Sequence, residues 1–350
     1  MKDWRKTLIG ADQTLLTAIQ IIEGTAAKSC VIVDADDRLL GMVTDGDIRR
    51  GILKGIHLDD PVSRIMSTKP LRATADESEA TVRKAMHAAQ IRQMPRVDQA
   101  GKVVGLAILD DQFGNRFKDH WAVLMAGGLG TRLRPLTEDI PKPMLKVGDK
   151  PLLETIIEGF HRHGFRNFYI SVNYKADVVM NYFGDGAKFG VNIRYLSEKE
   201  ELGTAGALGL IDERPNQPMV VMNGDVVTGV DFASLLDYHR DHGAKATMAV
   251  REYSMQIPFG VVRVDGHSFL DIEEKPIQRS FVNAGIYVID PDALDFVQRD
   301  QRLDMPDLFR TMSGKSWPLS VFPIRESWID IGRIDDFERA QTEFNSPNRS

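Results

Sequence analysis

The sequence has little that would support disulfide, zinc or membrane chemistry. Cys30 is the only cysteine among 350 residues, which excludes an internal disulfide and a cysteine-rich metal site. It lies in an apolar run, where a buried strand residue is favoured over a nucleophile. No stretch of about eighteen uncharged apolar residues occurs, and the first five residues do not resemble a signal peptide. We therefore expect a cytoplasmic protein with no membrane partner.

An excess of basic residues is also missing. The chain carries 44 Lys and Arg against 50 Asp and Glu, which gives a formal net charge of -6. Nucleic-acid phosphates favour a basic face, so no nucleic-acid partner is expected. Hydrophobic residues make up 43% and charged residues 27%, values typical of globular proteins. At this length two domains are the starting expectation.

The first part of the chain contains an internal repeat with an offset of 64 residues. The matching pairs are Asp12 and Asp76, Val33 and Val97, Gly41 and Gly105, and Asp47 and Asp111. Each unit is predicted to form a helix, a strand, a polar turn and a second strand. Units this short cannot bury both faces of a sheet, so we expect one domain over residues 1–112, with repeats at about 8–58 and 62–112. The polar residues 113–120 are predicted to be a linker.

Residues 121–346 follow a different pattern, in which predicted strands alternate with helices. The predicted strands are Ala122 to Met125, Asn167 to Val172, Asn192 to Tyr195, Met219 to Met222, Ala246 to Arg251 and Ile286 to Ile289. Helices such as Leu152 to His161 and Phe232 to Arg240 lie between some of them. This alternation predicts an α/β domain with a mostly parallel, doubly wound sheet that binds ligands at the carboxyl ends of its strands.

A glycine-rich segment follows the first of these strands. It carries Gly127, Gly128 and Gly130, then Thr131 and Arg132, with a Pro-Lys-Pro-Met sequence around Lys142 further along. Glycines let backbone N–H groups approach phosphate oxygens, and the loop is expected to lead into a helix. Arg132 and Lys142 supply positive charge, which would stabilise a nucleotidyl transfer. The alternative to a nucleotide-binding loop is a glycine-rich turn with solvated arginines.

Two common phosphate motifs are absent from this segment. A dinucleotide-binding loop requires glycine where Leu133 stands, and a Walker loop requires a Gly-Lys-Ser/Thr sequence that does not occur. The segment instead resembles the sugar-1-phosphate nucleotidyltransferase family, whose members carry Gly-Gly-x-Gly-Thr-Arg-Leu-x-Pro-Leu-Thr and Pro-Lys-Pro-Met. The resemblance runs from Trp121 to about Phe344 and implies a Rossmann-like, glycosyltransferase-A-like fold. It implies that Arg132 stabilises the transferred phosphate and that Lys142 binds phosphate.

The resemblance also implies a metal site. An apolar strand ends in Asn-Gly-Asp at Asp225, and a second such aspartate is Asp330 in Trp-Ile-Asp-Ile-Gly. An aspartate at a strand end is by itself more often a helix or turn cap. Family members use one aspartate from each motif, so Asp225 and Asp330 are predicted to bind Mg²⁺, with Asp225 counted as catalytic. Oxygen ligands suit Mg²⁺ better than zinc.

The sugar side is predicted from two further motifs. Glu274 and Lys275 lie in a Glu-Glu-Lys-Pro sequence, and Asn283 and Gly285 follow in Val-Asn-Ala-Gly. Without its neighbours the first motif is typical of a solvated surface turn. The resemblance implies that Lys275 binds the sugar phosphate, that Glu274 binds a sugar hydroxyl and that Asn283 and Gly285 line the sugar pocket.

Base selection is predicted near Glu198 and the sequence Leu-Gly-Thr-Ala-Gly. The small residues would allow close approach of a base, and a carboxylate accepts both N1–H and N2–H of guanine. The nucleotide-binding set therefore adds Glu198, Gly203, Thr204 and Gly206 to the phosphate loop. The motif resembles the guanylyltransferase branch, although Glu198 and Glu201 are also typical of exposed residues at a helix start. Uridylyl and cytidylyl relatives differ little here.

The two N-terminal repeats resemble a tandem cystathionine-β-synthase (CBS) pair, a module that often binds adenine nucleotides. The resemblance implies that Thr44 and Asp47 bind a regulatory nucleotide in the first repeat. In the second repeat Ile108 replaces the hydroxyl residue, although Asp111 remains. A docking or dimerisation module without ligand is the alternative. Such pairs commonly dimerise, so a homo-oligomer is expected.

Together these features predict that a sugar 1-phosphate attacks an NTP, expected to be GTP, with Mg²⁺ and release of pyrophosphate. The resemblance is closest to glucosamine-1-phosphate guanylyltransferases of legionaminic acid synthesis, with mannose- and heptose-1-phosphate guanylyltransferases and uridylyl or cytidylyl relatives as alternatives. A different possibility is a nucleotide-sensing CBS protein whose transferase-like domain has no turnover.

Overall fold

A computed structural model describes residues 4–25, 27–89, 91–109 and 119–345. They form two compact units that divide between Gln112 and Phe113. The predicted linker, residues 113–120, lies outside the described residues except for its last two positions. None of the described helices combines the length and apolar character that a membrane crossing requires.

The first unit consists of two small sheets with helices beside them. Its strands are β1 Leu8–Gly10, β2 Ser29–Val33, β3 Leu39–Thr44, β4 Ala73–Thr74, β5 Gln93–Val97 and β6 Val103–Ile108. Its helices are α1 Leu15–Gly24, α2 Asp45–Leu53 and α3 Glu79–Ala88.

The two sheets of the first unit repeat each other in detail. The sheets have the orders β1-β2-β3 and β4-β5-β6, each with one parallel pair followed by one antiparallel pair. The turns match as well, because Asp34 Oδ1 accepts hydrogen bonds from the backbone N–H groups two and four residues later, and Asp98 Oδ1 does the same. Cys30 is fully buried in β2, and burial raises the pKa of its thiol to about 12.

One apolar cluster joins the two repeats. Val31, Val33 and Met42 from the first repeat are buried together with Val103 and Leu106 from the second. A direct β-bridge between Arg38 and Lys102 adds a backbone contact. Neither sheet buries this face alone, which is the physical reason the repeats pack together.

The second unit contains the longer elements of the chain. Its strands are β7 Trp121–Met125, β8 Lys146–Val147, β9 Lys150–Pro151, β10 Asn167–Val172, β11 Asn192–Ser197, β12 Met219–Asn223, β13 Val226–Thr228, β14 Ala246–Gln256, β15 Val261–Asp265, β16 Ser268–Glu273, β17 Ile277–Ile289, β18 Leu319–Ile324 and β19 Trp328–Asp330. Its helices are α4 Leu152–Arg162, α5 Ala176–Phe183, α6 Gly203–Gly206, α7 Phe232–Asp241, α8 Met305–Gly314 and α9 Ile334–Asn345.

A seven-stranded sheet in the described part of this unit has the order β11-β10-β7-β12-β17-β14-β18. Four of its neighbouring pairs are parallel, and only β17 runs antiparallel to both of its neighbours. The α/β class with a mostly parallel sheet is therefore confirmed. β17 runs antiparallel because β14 leads into it through hairpin connections, whereas the parallel strands are joined by crossovers.

Both faces of this sheet are covered, and the alternation of side chains along each strand explains how. Leu124 and Met222 pack into one core with α4 and α7, whose aromatic rings Phe160 and Phe232 stack with centroids 3.9 Å apart. Val123 belongs to a second core on the opposite face, which includes residues of α8. The sheet is doubly wound, as its near-continuous apolar strands predict.

The largest differences from the predicted bounds concern β14 and β17. β14 continues past Arg251 to Gln256, and β17 begins at Ile277 instead of Ile286. The additional residues of the two strands pair with each other, and most of them are exposed. Polar and apolar residues are mixed there, so the sequence shows no apolar run that would mark a strand.

Candidate active site

The glycine-rich loop starts at the carboxyl end of β7, in the centre of the sheet. The first residues of the loop are held by the strands on both sides. On the β10 side Ala126 N–H donates to the Ser171 hydroxyl at 3.1 Å, and on the β12 side Gly224 N–H donates to Met125 O at 2.8 Å. The loop therefore has a defined position at the strand ends, where open α/β sheets bind ligands.

Two of the loop glycines differ in what surrounds them. Gly130 has φ +64, and a Cβ there would lie 3.2 Å from Lys142 Cβ and 3.1 Å from Thr137 Cγ2. The buried Thr137 hydroxyl also donates to Gly130 O at 2.8 Å. Gly128 is exposed, and a Cβ there would have no described atom within 4 Å. One glycine thus shapes the loop and the other leaves its backbone open.

The sequence predicts that the loop leads into a helix, but the structure shows no regular α-helix at this place. It enters a single 3₁₀ turn, Thr131–Leu133, which Gly130 precedes in the left-handed region. Thr131 and Arg132 are both exposed on this turn. A turn of three residues has little helix dipole, so the positive charge at this place comes from side chains and individual N–H groups.

Lys142 and Asp225 form an ion pair beside the loop. Lys142 lies on a second 3₁₀ turn, Lys142–Met144, and its Nζ is 2.5 Å from Asp225 Oδ2. Only 13% of the Lys142 side chain is exposed. The lysine of the Pro-Lys-Pro motif and the aspartate at the end of β12 are therefore brought together, although 83 residues separate them.

Asp330 lies near the same pair. The short strands β13 and β19 place Val226 opposite Asp330, and Ile331 N–H donates to Asp225 O at 3.0 Å. Partial burial raises the pKa of Asp330, and the charge of Asp225 raises it further, whereas Lys142 and Arg132 lower it. Asp225, Lys142 and Arg132 thus all act electrostatically on Asp330.

The carboxylate oxygens at this place fit a hard cation. Asp225 Oδ1 is buried, and among the described residues it has no hydrogen-bond partner, while Oδ2 is paired with Lys142. No group of three or more His, Cys, Asp or Glu residues that could hold a metal occurs in the described ranges. A cation held here would have two aspartates and would take its other ligands from phosphate oxygens and water, which is typical of Mg²⁺.

Asn283 and Gly285 lie on β17 next to the end of β12. Gly285 has φ +70, and a Cβ there would lie 2.7 Å from Asn223 Nδ2. Asn283 is fixed by two hydrogen bonds, because its Oδ1 accepts from Gly285 N–H at 2.9 Å and its Nδ2 donates to the Tyr287 hydroxyl at 2.8 Å. The predicted sugar-pocket pair is therefore held close to the Asp225 end of β12.

Sequence reasoning missed two residues around this pair. Asn223 lies directly over Gly285, and Trp328 Nε1 donates to Ala284 O at 2.8 Å. Both belong to motifs already singled out for their aspartates, so the signal was present in Asn-Gly-Asp and in Trp-Ile-Asp. Their role follows only from the fold, which places β17 between β12 and β14.

Glu274 and Lys275 are placed differently from the other predicted site residues. Both are exposed in the turn between β16 and β17, and Lys275 has φ 48. The Lys275 backbone N–H donates to Phe259 O at 3.3 Å, and its carbonyl accepts from Gln256 Nε2 at 3.4 Å. Among the described residues, no hydrogen bond or ion pair joins either side chain to Asp225 or Asn283.

Glu198 lies at the end of β11 against the phosphate loop. Its Oε1 is 2.7 Å from the position of a Cβ on Gly127, and its Oε2 accepts from Leu202 N–H at 2.9 Å. Burial raises the pKa of Glu198, which the Leu202 N–H and the Ser171 hydroxyl oppose. One carboxylate oxygen is therefore already used to hold the following loop, while Glu201 is exposed.

The small residues after Glu198 face another part of the chain. A Cβ on Gly203 would lie 2.6 Å from Asp304 Oδ1, and one on Gly206 would lie 2.6 Å from Gln301 O. Thr204 donates its N–H to Asp304 Oδ1 at 3.0 Å, and its hydroxyl accepts from Met305 N–H at 2.8 Å. Close packing against residues 301–305 thus explains these residue types, and contact with a base stays a prediction.

In the first unit, Thr44 and Asp47 form a capping box at the start of α2. Asp47 Oδ2 accepts from the Thr44 N–H at 2.8 Å and from its hydroxyl at 2.6 Å, and Asp47 Oδ1 pairs with Arg50 at 2.6 Å. These contacts explain both residues without a ligand. A nucleotide role for them stays a prediction. The counterpart in the second repeat, Asp111, lies outside the described residues.

Two family models match the chain. The model described as "Nucleotidyl transferase" matches residues 121–346, and the model described as "CBS domain" matches residues 7–54 and 62–111. The second match confirms the tandem CBS pair that the internal repeat suggested.

Two named relatives and one solved structure are also similar to this chain. A UTP–glucose-1-phosphate uridylyltransferase from Synechocystis is 33% identical over 239 residues, which are 63% of this chain and 62% of the relative. A mannose-1-phosphate guanyltransferase from Yarrowia lipolytica is 33% identical over 223 residues, 61% of each chain. The chain thus spans about three fifths of these relatives. A crystal structure of a putative glucose-1-phosphate thymidylyltransferase from Bacillus anthracis shares the fold, with TM-score 0.54 and 24% identity over 66% of this chain and 97% of that one.

Proposed function

The chain belongs to the nucleotidyl transferase family, and from this premise we propose that it transfers a nucleoside monophosphate from an NTP to a sugar 1-phosphate. The observation that carries the proposal is the ion pair between Lys142 and Asp225 beside an open glycine-rich loop with Arg132. The relatives named above act on sugar 1-phosphates, which supports the acceptor class.

The proposed reaction needs no covalent bond to the protein. An oxygen of the sugar 1-phosphate forms a bond to the α-phosphorus of the NTP, and the bond from that phosphorus to the bridging oxygen breaks. Pyrophosphate leaves with the electron pair. The attacking oxygen is already ionised, so positioning and charge neutralisation are sufficient.

Arg132 and Lys142 are the groups that meet the phosphates in this proposal. Arg132 is exposed at the edge of the loop and free to move toward the α-phosphate, where negative charge increases in the transition state. Lys142 is held in place by Asp225, so its charge is positioned before the substrate arrives. Backbone N–H groups beside Gly128 complete a site for phosphate oxygens.

Asp225 and Asp330 would hold Mg²⁺, which supplies positive charge to the phosphates when bound. The unpaired Oδ1 of Asp225 is the observation that favours this role. Lys142 then keeps the Asp225 carboxylate oriented through Oδ2. Burial raises the pKa of Asp330 and the charge of Asp225 raises it further, so a bound cation would favour its ionised form.

We propose GTP as the nucleotide, and Glu198 as the residue that favours guanine. A carboxylate accepts hydrogen bonds from N1–H and N2–H of guanine, whereas uracil offers only one such donor. Glu198 lies against Gly127 of the phosphate loop, where a base attached to bound phosphates can reach it. Because Oε2 already accepts from Leu202, reading both donors requires Glu198 to release that N–H. The relatives include both uridylyl and guanylyl enzymes, so uridylyl transfer is the competing specificity.

The proposed acceptor is glucosamine 1-phosphate, with mannose 1-phosphate and heptose 1-phosphate as alternatives. Asn283 and Gly285 would line the sugar pocket, and Lys275 and Glu274 would contact the sugar phosphate and a hydroxyl. The first pair is fixed by hydrogen bonds, whereas the second is exposed on a turn. A substrate bound at β17 would therefore bring the exposed turn toward it.

The test is pyrophosphate release by the full-length chain with Mg²⁺, using GTP, UTP, CTP and ATP against a panel of sugar 1-phosphates. We expect release with GTP and glucosamine 1-phosphate. Release with UTP alone would contradict the guanine assignment. Absence of release with every pair would favour a nucleotide-sensing protein without turnover. Glu198→Gln should lower the preference for GTP over UTP, while Glu201→Gln, at an exposed position, should leave it unchanged.

A second function is proposed for the first unit, namely binding of an adenine nucleotide at Thr44 and Asp47. The two residues lie together at the start of α2, which favours phosphate or ribose contact there. The ligand must compete with the capping box. We expect ATP or AMP to raise the melting temperature and Asp47→Ala to abolish the increase. Absence of any increase in the wild type would favour a docking module.

A further inference from the structure

The second unit carries an exposed extension, residues 251–282, which we name the arm. It consists of the outer parts of β14 and β17, paired from Arg251 and Val282 to Gln256 and Ile277, together with the hairpin of β15 and β16. The hairpin forms a two-stranded sheet of its own. A two-stranded hairpin is marginally stable in water unless a further surface covers it.

The register of the hairpin gives it one apolar face. Val262 lies opposite Ile272, and Val264 lies opposite Phe269. Because directly opposed residues point to the same side, these four side chains share a face. They are 47%, 47%, 62% and 64% exposed in that order.

The other face of the hairpin is mostly polar, with Val261 opposite Glu273 at its end. Arg263 lies opposite Asp271 and forms an ion pair with it, and Asp265 lies opposite Ser268. The hairpin is therefore amphipathic in the way of a strand pair that buries one side against a partner. Its sequence alternates accordingly, from Val262 through Arg263 to Val264.

The exposed apolar surface of the arm is large. The large hydrophobic side chains that are exposed on it are Tyr253, Met255, Phe259, Val262, Val264, Phe269, Leu270, Ile272, Ile277 and Phe281. Summed over the whole arm their exposed area is on the order of 1,000 Å², and the four residues of the hairpin face contribute on the order of 400 Å² of it. A stable interface buries about 800 Å² on each partner, so this face would be the apolar centre of an interface that also takes in neighbouring residues of the arm.

The charges of the arm indicate which kind of partner fits. Residues 251–282 contain four basic and five acidic side chains, so the arm is nearly neutral although the whole chain carries -6. A strongly basic or acidic partner finds no complementary surface here. Two arms can approach each other without net repulsion, and an apolar face that is the same on both copies suits a twofold axis.

We propose that the apolar face of the β15–β16 hairpin packs against the same face of a second copy of the chain. This interface is separate from the proposed reaction and from any association through the N-terminal repeats. It would cover Val262, Val264, Phe269 and Ile272 in both copies. It would also fix the hairpin that leads into the turn with Glu274 and Lys275.

The experiment measures the mass of the full-length chain by sedimentation velocity from about 1 to 100 µM. The wild type should sediment at no less than twice the 39.2 kDa chain mass. Phe269→Glu should halve the mass and raise the dissociation constant at least about a hundredfold, because the substitution occurs twice in a symmetric interface. Ser268→Glu introduces the same charge on the polar face of the same strand and should keep the wild-type mass.

A second measurement does not depend on the variants. Hydrogen exchange of the wild type should show protected amides in residues 261–273 at high concentration and faster exchange on dilution. A monomeric wild type would overturn the proposal, as would equal masses of Phe269→Glu and Ser268→Glu. Protection that is independent of concentration would show that the same chain covers the hairpin, and it would also overturn the proposal.

Discussion

Strand β17 has two parts with different surroundings. The part from Ala284 to Ile289 is buried between β12 and β14 in the central sheet. The part from Ile277 to Phe281 is exposed and pairs with β14 alone. Asn283 and Gly285 lie where one part changes into the other. The same strand therefore connects a rigid core with an extension that little else supports.

This difference separates the predicted site residues into two groups. Lys142 and Asp225 are fixed by their ion pair, and Asn283 is fixed by two hydrogen bonds within its own strand. Glu274 and Lys275 lie on the exposed turn, where the Lys275 backbone bonds to Phe259 O and to the Gln256 side chain. We expect phosphate chemistry to depend on groups that are positioned in advance, and sugar binding to depend on groups that move toward the substrate.

The largest effect is expected for stability, in a comparison of one residue from each part of β17. Ile286→Ala leaves a cavity in the buried core and should lower the free energy of unfolding by about 3–4 kcal/mol. Ile277→Ala removes a side chain that is 55% exposed and should cost less than about 0.5 kcal/mol. Denaturant unfolding followed by tryptophan fluorescence measures both. Similar losses for the two variants would show that the arm is as tightly packed as the core.

The second prediction concerns turnover at the fixed end of the site. Arg132→Ala should lower kcat about a hundredfold, because one positioned charge is lost from the transition state. Arg134→Ala is the matched control, since Arg134 is also exposed and lies two residues away. Steady-state rates of pyrophosphate release measure the difference. If Arg132→Ala turns over at nearly the normal rate, Arg132 has no part in the reaction.

The third prediction uses pH to examine the buried part of β14. His239 is buried with Nδ1 2.9 Å from the Thr247 hydroxyl, and burial lowers its pKa to about 4. The unfolded chain has an ordinary histidine pKa of about 6.5, so between these values the unfolded state binds a proton that the native state does not. Stability that is complete above pH 6.5 is therefore lost as the pH falls toward 4.

From pH 7 to pH 5 this histidine should lower the free energy of unfolding by about 2 kcal/mol. His239→Gln should remove that part of the pH dependence, and His267→Gln, on the exposed hairpin turn, should not. Urea unfolding at several pH values measures both variants. An unchanged acid slope in His239→Gln would show that other groups cause the loss.

The smallest effect is expected on the arm. Lys275→Ala should raise KM for the sugar 1-phosphate about tenfold and leave KM for the NTP unchanged, because one solvent-exposed charge contributes little before the turn closes. Lys199→Ala, at another exposed lysine, should change neither value. An equal increase in both KM values would mean that Lys275 acts on the fold of the site and not on the sugar phosphate.

The sequence predicted the fold well where local pattern and burial agree. The predicted bounds of β10 match the observed strand, because it is a compact apolar run between polar turns. The outer part of β17 was not predicted as a strand. Its residues are held by pairing with β14 and not by burial. A pairing partner 21 to 29 residues away leaves no periodic signal in either segment.

The predicted site shows the same limit. Lys142 and Asp225 were singled out in separate motifs, and the fold pairs them, while their roles stay predictions. The Leu-Gly-Thr-Ala-Gly segment could be assigned to a base only by resemblance. In the structure Gly203 and Thr204 also have partners in residues 304 and 305, a hundred residues later in the chain. A glycine that packs against a distant loop and a glycine that admits a ligand look the same in sequence.

Gly285 has a consequence for how such a protein can change its substrate. With φ +70 and Asn223 Nδ2 at 2.7 Å from any added Cβ, almost every mutation at this codon strains the backbone and displaces a neighbour. Position 285, on the inner wall of the proposed sugar pocket, therefore does not tolerate single substitutions. The exposed turn is less constrained, because most of its side chains can be exchanged one at a time without disturbing a core; Gly260 is an exception, since a Cβ there would lie 2.9 Å from Glu274 Oε1. A mutational library aimed at a new sugar should therefore diversify residues 256–259 and 274–278 and keep positions 260 and 285 unchanged.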